Sequence, residues 1–262
     1  MKKLLWLLLI ILTVSGCGGE AKEDVESKKP KRVYVIGIDV EYAPMGFRNE
    51  SGEIVGFDVD LAKEAAKRMG VTFEFRPIVW DKKEAELNSG RIDIIWNGLD
   101  ITPERQAYVL YSEPYLDNRQ LLLVKKNKGF HIQSIQDLAG KIVATQSGSN
   151  SEGYVEGDST LRNSLADFIT YPSFNIAFKD LHADKIDVLI VDEVAGRYEK
   201  SKHDDELEII EVPVGVATEL GIGFRLGDVE LRDEVQKTFD EMKADGTAKK
   251  ISEKWFQANL IK

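Results

Sequence analysis

The chain is poor in cysteine, in histidine and in positive charge. Cys17 is the single cysteine among 262 residues, so no internal disulfide can form and the fold must rest on its core. The three histidines, His131, His182 and His203, lie far apart with no ligand spacing, so no metal and no cofactor is expected. Lys and Arg number 35 against 45 Asp and Glu, a net charge of −10. That deficit argues against nucleic acid, which is bound by neutralising phosphates. It argues equally against electrostatic docking on anionic lipid. The apolar run Leu4–Leu12 is too short to span a bilayer as a permanent helix.

That run does fit the core of a signal peptide. Lys2-Lys3 precede it, and Val14-Ser15-Gly16-Cys17 follow. Small residues directly before a cysteine resemble the lipobox of bacterial lipoproteins. The resemblance implies cleavage before Cys17 and acylation there, palmitate included, so that lipid anchors the protein to the membrane. Loss of Lys2 and Lys3 leaves 33 basic residues against 45 acidic ones, a net charge of −12. Residues 17–31 are polar and charged with almost nothing to bury, and are read as a flexible tether. The remaining chain, about 230 residues, exceeds the usual size of a single core, so two lobes are expected.

The most informative stretch is GRIDIIWNGLDITPER, Gly90–Arg105. Its apolar run Ile92–Trp96 has the length and β-branched content of a strand. Asn97-Gly98 favours a turn, and the chain is expected to leave the strand there. Thr102-Pro103 reads as a helix start, with threonine at the N-cap and proline at the first helical position. A carboxylate (Asp100), a hydroxyl and a guanidinium (Arg105) therefore gather at the carboxyl end of one strand, where open α/β sheets place their ligands. Donors beside an acidic group suit a zwitterion: arginine forks onto a carboxylate, and aspartate holds an ammonium.

The rest of the chain repeats one plan. Strands are expected over 31–39 and 71–79, with helices over 58–69 and 81–89, the second with Ala85 and Leu87 partly buried, giving β-α-β-α-β up to residue 96, and 47–53 reads as a hairpin or turn around Ser51-Gly52. Residues 107–115 read as a loop. Strands over 119–126, 141–146, 168–171, 186–191 and 206–214 alternate with helices over 151–162, 175–183 and 193–201. A strand over 221–226 and helices over 229–244 and 247–258 close the chain. The Gly/Ser loop Ser147–Ser151, after a strand and before a helix, is a natural anion site but lacks the Gly-Lys-Ser/Thr of a phosphate loop. Asp184-Lys185-Ile186-Asp187 echoes Gly90-Arg91-Ile92-Asp93, so two lobes of similar build offer strand ends to one cleft. Trp96 is read as core, and Asp58 and Asp60 as helix-start residues.

Four segments in this order, GIDVEYAPM (37–45), GFDVDLAKEAAKRMG (56–70), GRIDIIWNGLDITPER (90–105) and KIDVLIVDEVA (185–195), resemble the extracytoplasmic solute-binding proteins of ABC importers. The branch is the one for polar amino acids, and the ending KADGTAKKISEKWF (243–256) is also typical of it. The resemblance implies an α/β, two-lobed periplasmic-binding-protein-like fold, each lobe a mostly parallel sheet with flanking helices. Lobe 1 would comprise 32–118 and 215–262, and lobe 2 would comprise 119–214. By the same resemblance Arg105 grips the ligand α-carboxylate, helped by N–H groups near Ser149 and Asn150. Asp192 binds the α-ammonium with Asp100 and the backbone of Gly98. Tyr42 and Trp80 sandwich the ligand side chain, and Asp39, Asn97 and Gln146 line its far end. Many relatives carry Ser or Thr at the position of Asp100, so this aspartate adds negative charge.

The implied protein is a monomeric, membrane-tethered receptor on the extracytoplasmic face that hands a free amino acid to a permease. It is not an enzyme. Three aspartates facing one ligand favour a cationic side chain, as in arginine, lysine, ornithine or histidine, because surplus desolvated carboxylates are costly. A neutral ligand such as glutamine or cystine, held by Gln146 and Asn97, is the counter-reading. An acidic ligand is disfavoured, since only Arg105 among the basic residues is placed at these strand ends. A cyclohexadienyl dehydratase-like enzyme on the same fold is the alternative function, with cleft carboxylates as acid and base. A sensory module is disfavoured, as no transmembrane or signalling segment follows Lys262 in this sequence.

Overall fold

The computed structural model describes residues 31–262, and the expected signal peptide (1–16), Cys17 and all but the last residue of the tether lie outside them. The amino-terminal part runs β1 (Val33–Ile38), β2 (Glu41–Tyr42), β3 (Gly46–Arg48), β4 (Ile54–Val55), α1 (Phe57–Met69), β5 (Thr72–Pro77), α2 (Lys83–Asn88) and β6 (Ile94–Asp100). Then come α3 (Pro103–Gln106), β7 (Leu110–Tyr111), β8 (Leu116–Lys125), β9 (Ile142–Gln146), α4 (Asn150–Gly157), α5 (Ser159–Ser164) and β10 (Asp167–Tyr171). The chain ends with α6 (Phe174–His182), β11 (Val188–Asp192), α7 (Glu193–Lys202), β12 (Leu207–Phe224), α8 (Val229–Ala244) and α9 (Thr247–Phe256).

One nine-stranded sheet carries the order β10-β9-β11-β8-β12-β6-β1-β5, with β7 on β12. The outer groups are parallel, β10-β9-β11 on one side and β6-β1-β5 on the other. Between them the long β8 and β12 pair antiparallel with each other and with their neighbours. A small sheet, β2-β3-β4, is the hairpin expected around Ser51-Gly52 with one more strand added. The strands β6 and β11 are buried along their whole length, as continuous apolar runs in parallel sheets should be.

Helix α1 illustrates how local sequence sets the elements. Asp58 and Asp60 lie in its first turn and Lys67 and Arg68 in its last, complementing the dipole, and Gly70 ends it in the left-handed conformation. Its apolar face packs Phe57, Leu61, Ala62 and Ala65 into a core shared with Trp96 and Phe239. Trp96 is fully buried, as expected.

Five expectations are corrected. The chain does not leave the strand at Asn97-Gly98; β6 continues to Asp100, because β12 pairs with it on both sides of a bulge at Gly221/Gly223. The strands expected over 206–214 and 221–226 are one, β12, whose register against β8 slips around Pro213 and Gly215. The helix expected over 151–162 breaks at Asp158, whose carboxylate accepts the N–H groups of Thr160 and Leu161 and so caps α5. The loop 107–115 contains β7, paired with β12. In α2 the buried residues are Lys83 and Leu87, and Ala85 is exposed.

Candidate functional site

The end of β6 supplies the first wall. Asn97 is fully buried and its Oδ1 accepts the N–H of Asp39, just past β1, at 2.7 Å. Gly98 takes φ +59°, and a Cβ there would lie 2.7 Å from the Tyr42 ring, so only glycine lets the ring approach. Its N–H donates to Asp58 Oδ2 at 2.7 Å. Asp58 also accepts the Tyr115 hydroxyl at 3.0 and 3.1 Å. Beyond Asp100, Thr102 caps α3 by accepting the Arg105 N–H, with Pro103 behind it. That short helix turns the Arg105 guanidinium back across the strand end, where Nη1 donates to the Asp100 carbonyl at 3.3 Å.

The opposite wall comes from β9, β11 and the loop before α4. Gln146, at the end of β9, donates from Nε2 to Asp39 Oδ2 at 2.6 Å. Asp192, at the end of β11, accepts the Tyr42 hydroxyl at 2.8 Å. Arg105 Nη2 and Lys83 Nζ both donate to the Gly148 carbonyl, at 2.9 and 2.8 Å. Gly148 has φ +73°, and a Cβ would stand 2.7 Å from Asp81 Cα, so the loop closes tightly on the turn that follows Trp80. These bonds join the carboxyl ends of the two parallel groups of strands.

Between the walls lies a small, tightly closed cavity lined by Tyr42, Trp80, Gly98, Asp100, Gln146, Ser149 and Asp192. Asp39, Asp100 and Asp192 are all buried around it. One side chain from β8 spans two of them: Asn118 Nδ2 donates to Asp100 Oδ1 at 2.9 Å and to Asp192 Oδ1 at 2.7 Å. Gln120, two residues on and on the same face, adds a 2.7 Å bond to Asp192, and Thr218 adds one to Asp100 at 2.5 Å. Burial pushes the Asp192 carboxyl up to about 6, and the neighbouring Asp100 charge adds to that rise. Asp39 is likewise raised to about 6 by burial, against the pull of its bonds from Glu41 N–H and Gln146. Tyr42, buried against Asp192, has its phenol pushed well above the ordinary value, so it stays a donor.

Two cations face these carboxylates. Arg105 stands 3.7 Å from Asp100 and 3.4 Å from Glu84. Lys83 is buried, sits 4.9 Å from the Trp80 ring and lies 3.2 Å from Glu84. Burial pulls its amine down to about 8, helped by the Arg105 charge. Arg105 is therefore not the only basic residue near the strand ends, which corrects the sequence reading. Glu84 bridges both cations, so the acidic surplus at the cavity survives.

Most of the expected residues converge. Tyr42, Trp80, Gly98, Asp100, Gln146, Ser149 and Asp192 line the cavity, and Arg105 and Asp39 bond to its walls. Asn97 sits behind the wall and orients Asp39. Ser149 is the N-cap of α4, its Oγ accepting the Glu152 N–H, while its own N–H is spent on the Gln146 carbonyl at 3.3 Å. Asn150 opens that helix and is not among the lining residues. Sequence reasoning missed Asn118 and Gln120, although polar residues at alternate positions where an apolar strand begins were a legible signal. It also missed Lys83, which is buried and donates to the Gly148 carbonyl. Asp58, read as a helix-start residue, does lie in the first turn of α1, and it is also fully buried beneath Gly98, whose N–H it accepts.

The chain is 33% identical over 239 aligned positions to the L-cystine-binding protein TcyJ of Escherichia coli, covering 89% of this chain and 86% of that protein. It is 32% identical to the arginine-binding extracellular protein ArtP of Bacillus subtilis, covering 98% of both. Among solved structures, an ABC uptake transporter substrate-binding protein from Streptococcus pneumoniae with bound histidine superposes with a TM-score of 0.82 at 35% identity, over 87% of this chain and 94% of that one. An ancestral amino acid-binding protein described as a precursor of cyclohexadienyl dehydratase superposes with a TM-score of 0.78 at 34% identity, over 86% and 95%. The family described as bacterial extracellular solute-binding proteins, family 3, matches residues 34–258, and this chain, with its two-lobed periplasmic-binding-protein fold, belongs to it.

Proposed function

We propose that the protein captures an L-amino acid with a cationic side chain between its lobes and presents it to the permease of an ABC importer. The observation that carries this reading is that buried Asp100 and Asp192 line one cavity, with buried Asp39 bonded to its wall through Gln146 and Arg105 3.7 Å from Asp100. One aspartate suffices for an α-ammonium. The others are stabilised when the ligand brings a second positive group into the same low-dielectric space.

Arg105 would take the α-carboxylate, with Ser149 and Asn150 at the start of α4 on the opposite wall. Asp192, assisted by Asp100 and the Gly98 backbone, would take the ammonium. Tyr42 and Trp80 would flank the aliphatic part of the side chain, and Asp39, held by Asn97 and Gln146, would meet its charged end. Lobe 1 is assigned to 32–118 with 215–262 and lobe 2 to 119–214. Tyr42–Asp192, Asp39–Gln146 and Arg105–Gly148 would then all be bonds across the cleft. Closure adds the contacts of the second lobe to those of the first, and this is how binding would shift the lobes together.

The family resemblance and the lipobox-like Val14–Cys17 support a monomer held at the extracytoplasmic face of the membrane by acyl groups on Cys17, after removal of residues 1–16. Among the described residues no helix is long and apolar enough to cross a membrane. A neutral ligand is the second reading, favoured by the likeness to a cystine-binding protein. Dehydratase chemistry is a weaker reading, because a substrate without an ammonium leaves Asp192 and Asp100 unpaired.

A thermal-shift screen of the purified protein against the twenty amino acids, ornithine, cystine and prephenate-like acids tests the proposal, since a tight ligand raises the melting temperature by mass action. A rise with arginine, lysine, ornithine or histidine is expected. A rise with cystine or glutamine alone would remove the cationic specificity. A rise with a prephenate-like acid and with no amino acid would remove the receptor.

A further inference from the structure

Two of the three histidines, 21 positions apart in the chain and without sequence spacing for a metal, meet in space. His182 is the last residue of α6, and His203 directly follows α7. Their ring centroids are 4.5 Å apart, edge to face. Glu206, just before β12, places Oε2 2.9 Å from His182 Nδ1. The ligand-capable atoms of His182, His203 and Glu206 all lie within 4.8 Å of one another. A second carboxylate completes the group. Glu199 of α7 is buried, and its Oε1 lies 3.5 Å from Nε2 of both histidines.

The backbone fixes this arrangement. The N–H groups of Glu206 and Leu207 both donate to the His203 carbonyl, at 3.0 and 2.9 Å, so the turn that carries His203 and Glu206 is locked. Lys125 holds the end of α6 by donating to the His182 carbonyl at 2.9 Å. Two neutral imidazoles and a carboxylate are the donor set of many zinc sites, and imidazole with carboxylate suits ions of the zinc class better than calcium or magnesium. Ligand atoms each ~2.1 Å from a tetrahedral ion sit ~3.4 Å apart. The His182 Nδ1–Glu206 Oε2 contact of 2.9 Å is a little shorter than that spacing and the atoms of all three residues lie within 4.8 Å, so side-chain rotations can bring them to it, while Glu199, on the Nε2 side of His182, would orient that ring.

We propose that His182, His203 and Glu206, with Glu199 beside them, bind a divalent transition metal ion of the zinc class. The site is separate from the amino-acid cavity. Asp192 stands at the start of α7 and His203 at its end, about 15 Å away along a ten-residue helix. The ion would staple the ends of α6 and α7 to the start of β12, all outside the cavity lining. Neutral water on such an ion completes an open coordination shell, since His203 is exposed.

Calorimetric titration of untagged protein with Zn²⁺ tests this. The expected result is saturable one-to-one binding that weakens at least about 10-fold in His182→Asn and in His203→Gln, the loss seen even when a supporting group around a metal is removed. Both variants should keep the far-UV circular dichroism and metal-free melting temperature of the parent. A variant that loses its fold is replaced by Glu206→Gln, read in the same way. Absence of saturable Zn²⁺ binding, or equal affinity in the folded variants, would overturn the proposal.

Discussion

Tyr42 donates its hydroxyl to Asp192 at 2.8 Å, joining residues 150 positions apart in the chain. The same carboxylate accepts from Asn118 and Gln120 and faces Asp100 through Asn118. In the proposed complex the ligand ammonium joins this set, and its charge, not the phenol, is what Asp192 needs. Asp192→Asn should therefore cost about 2–5 kcal/mol of binding, the usual loss when one member of a buried charge pair is neutralised. Tyr42→Phe keeps the ring and should cost less than about tenfold. Calorimetry on both variants checks the ranking, and an equal or reversed order would contradict it.

Arg105 is placed by a local device, the Thr102 cap and Pro103, between Asp100 and the Gly148 carbonyl. Arg105→Ala should bring amino-acid binding below detection. Arg105→Lys keeps the charge but loses the planar fork and should bind at least about tenfold more weakly. Unchanged affinity in either variant would remove the carboxylate role.

The carboxyls of Asp39 and Asp192 are raised to about 6 by burial, and a cationic ligand requires them ionised. Binding should then be level above pH 7 and fall as pH drops through 6, by up to about tenfold per unit for each carboxyl that takes up a proton. Affinities measured from pH 4.5 to 8 test this, and a flat profile would count against the role of both aspartates.

Asp58 is a buried acid beneath the ligand strand, raised to about 7 by desolvation against the opposing pull of Tyr115 and the Gly98 N–H. Its folded value lies above its unfolded one, so its contribution to stability is intact below about pH 4 and is lost as pH rises through 7. Asp58→Asn removes the titration and can still accept one bond. Relative to the parent, its stability should improve between pH 4.5 and pH 8 by on the order of a few kcal/mol. Urea unfolding of both proteins at the two pH values measures the change, and a constant difference would contradict the burial argument.

Much of this was legible because the signals were local or repeated. The cap of α3, the stop of α1 at Gly70 and the apolar runs of β6 and β11 each follow from neighbouring residues. What escaped depended on partners distant in sequence. Asn97-Gly98 has turn chemistry, yet β12 pairs with β6 on either side of it, so the strand runs on through an irregularity. Asp58 has the look of a dipole-matching acid, and only the return of Tyr115 and Gly98 makes it a buried acceptor. His182 and His203 are separated by a strand and a helix, so no spacing rule could bring them together. Lys83 became a cleft residue only because the Gly148 loop folds against it.

The most direct test of the central claim is a calorimetric comparison, at pH 7.5, of arginine, lysine, ornithine and histidine with glutamine and cystine. Surplus buried carboxylates predict that the best cationic amino acid binds at least about 100-fold more tightly than either neutral one, a difference of about 2.7 kcal/mol. Glutamine or cystine binding as tightly as every cationic amino acid would contradict the account.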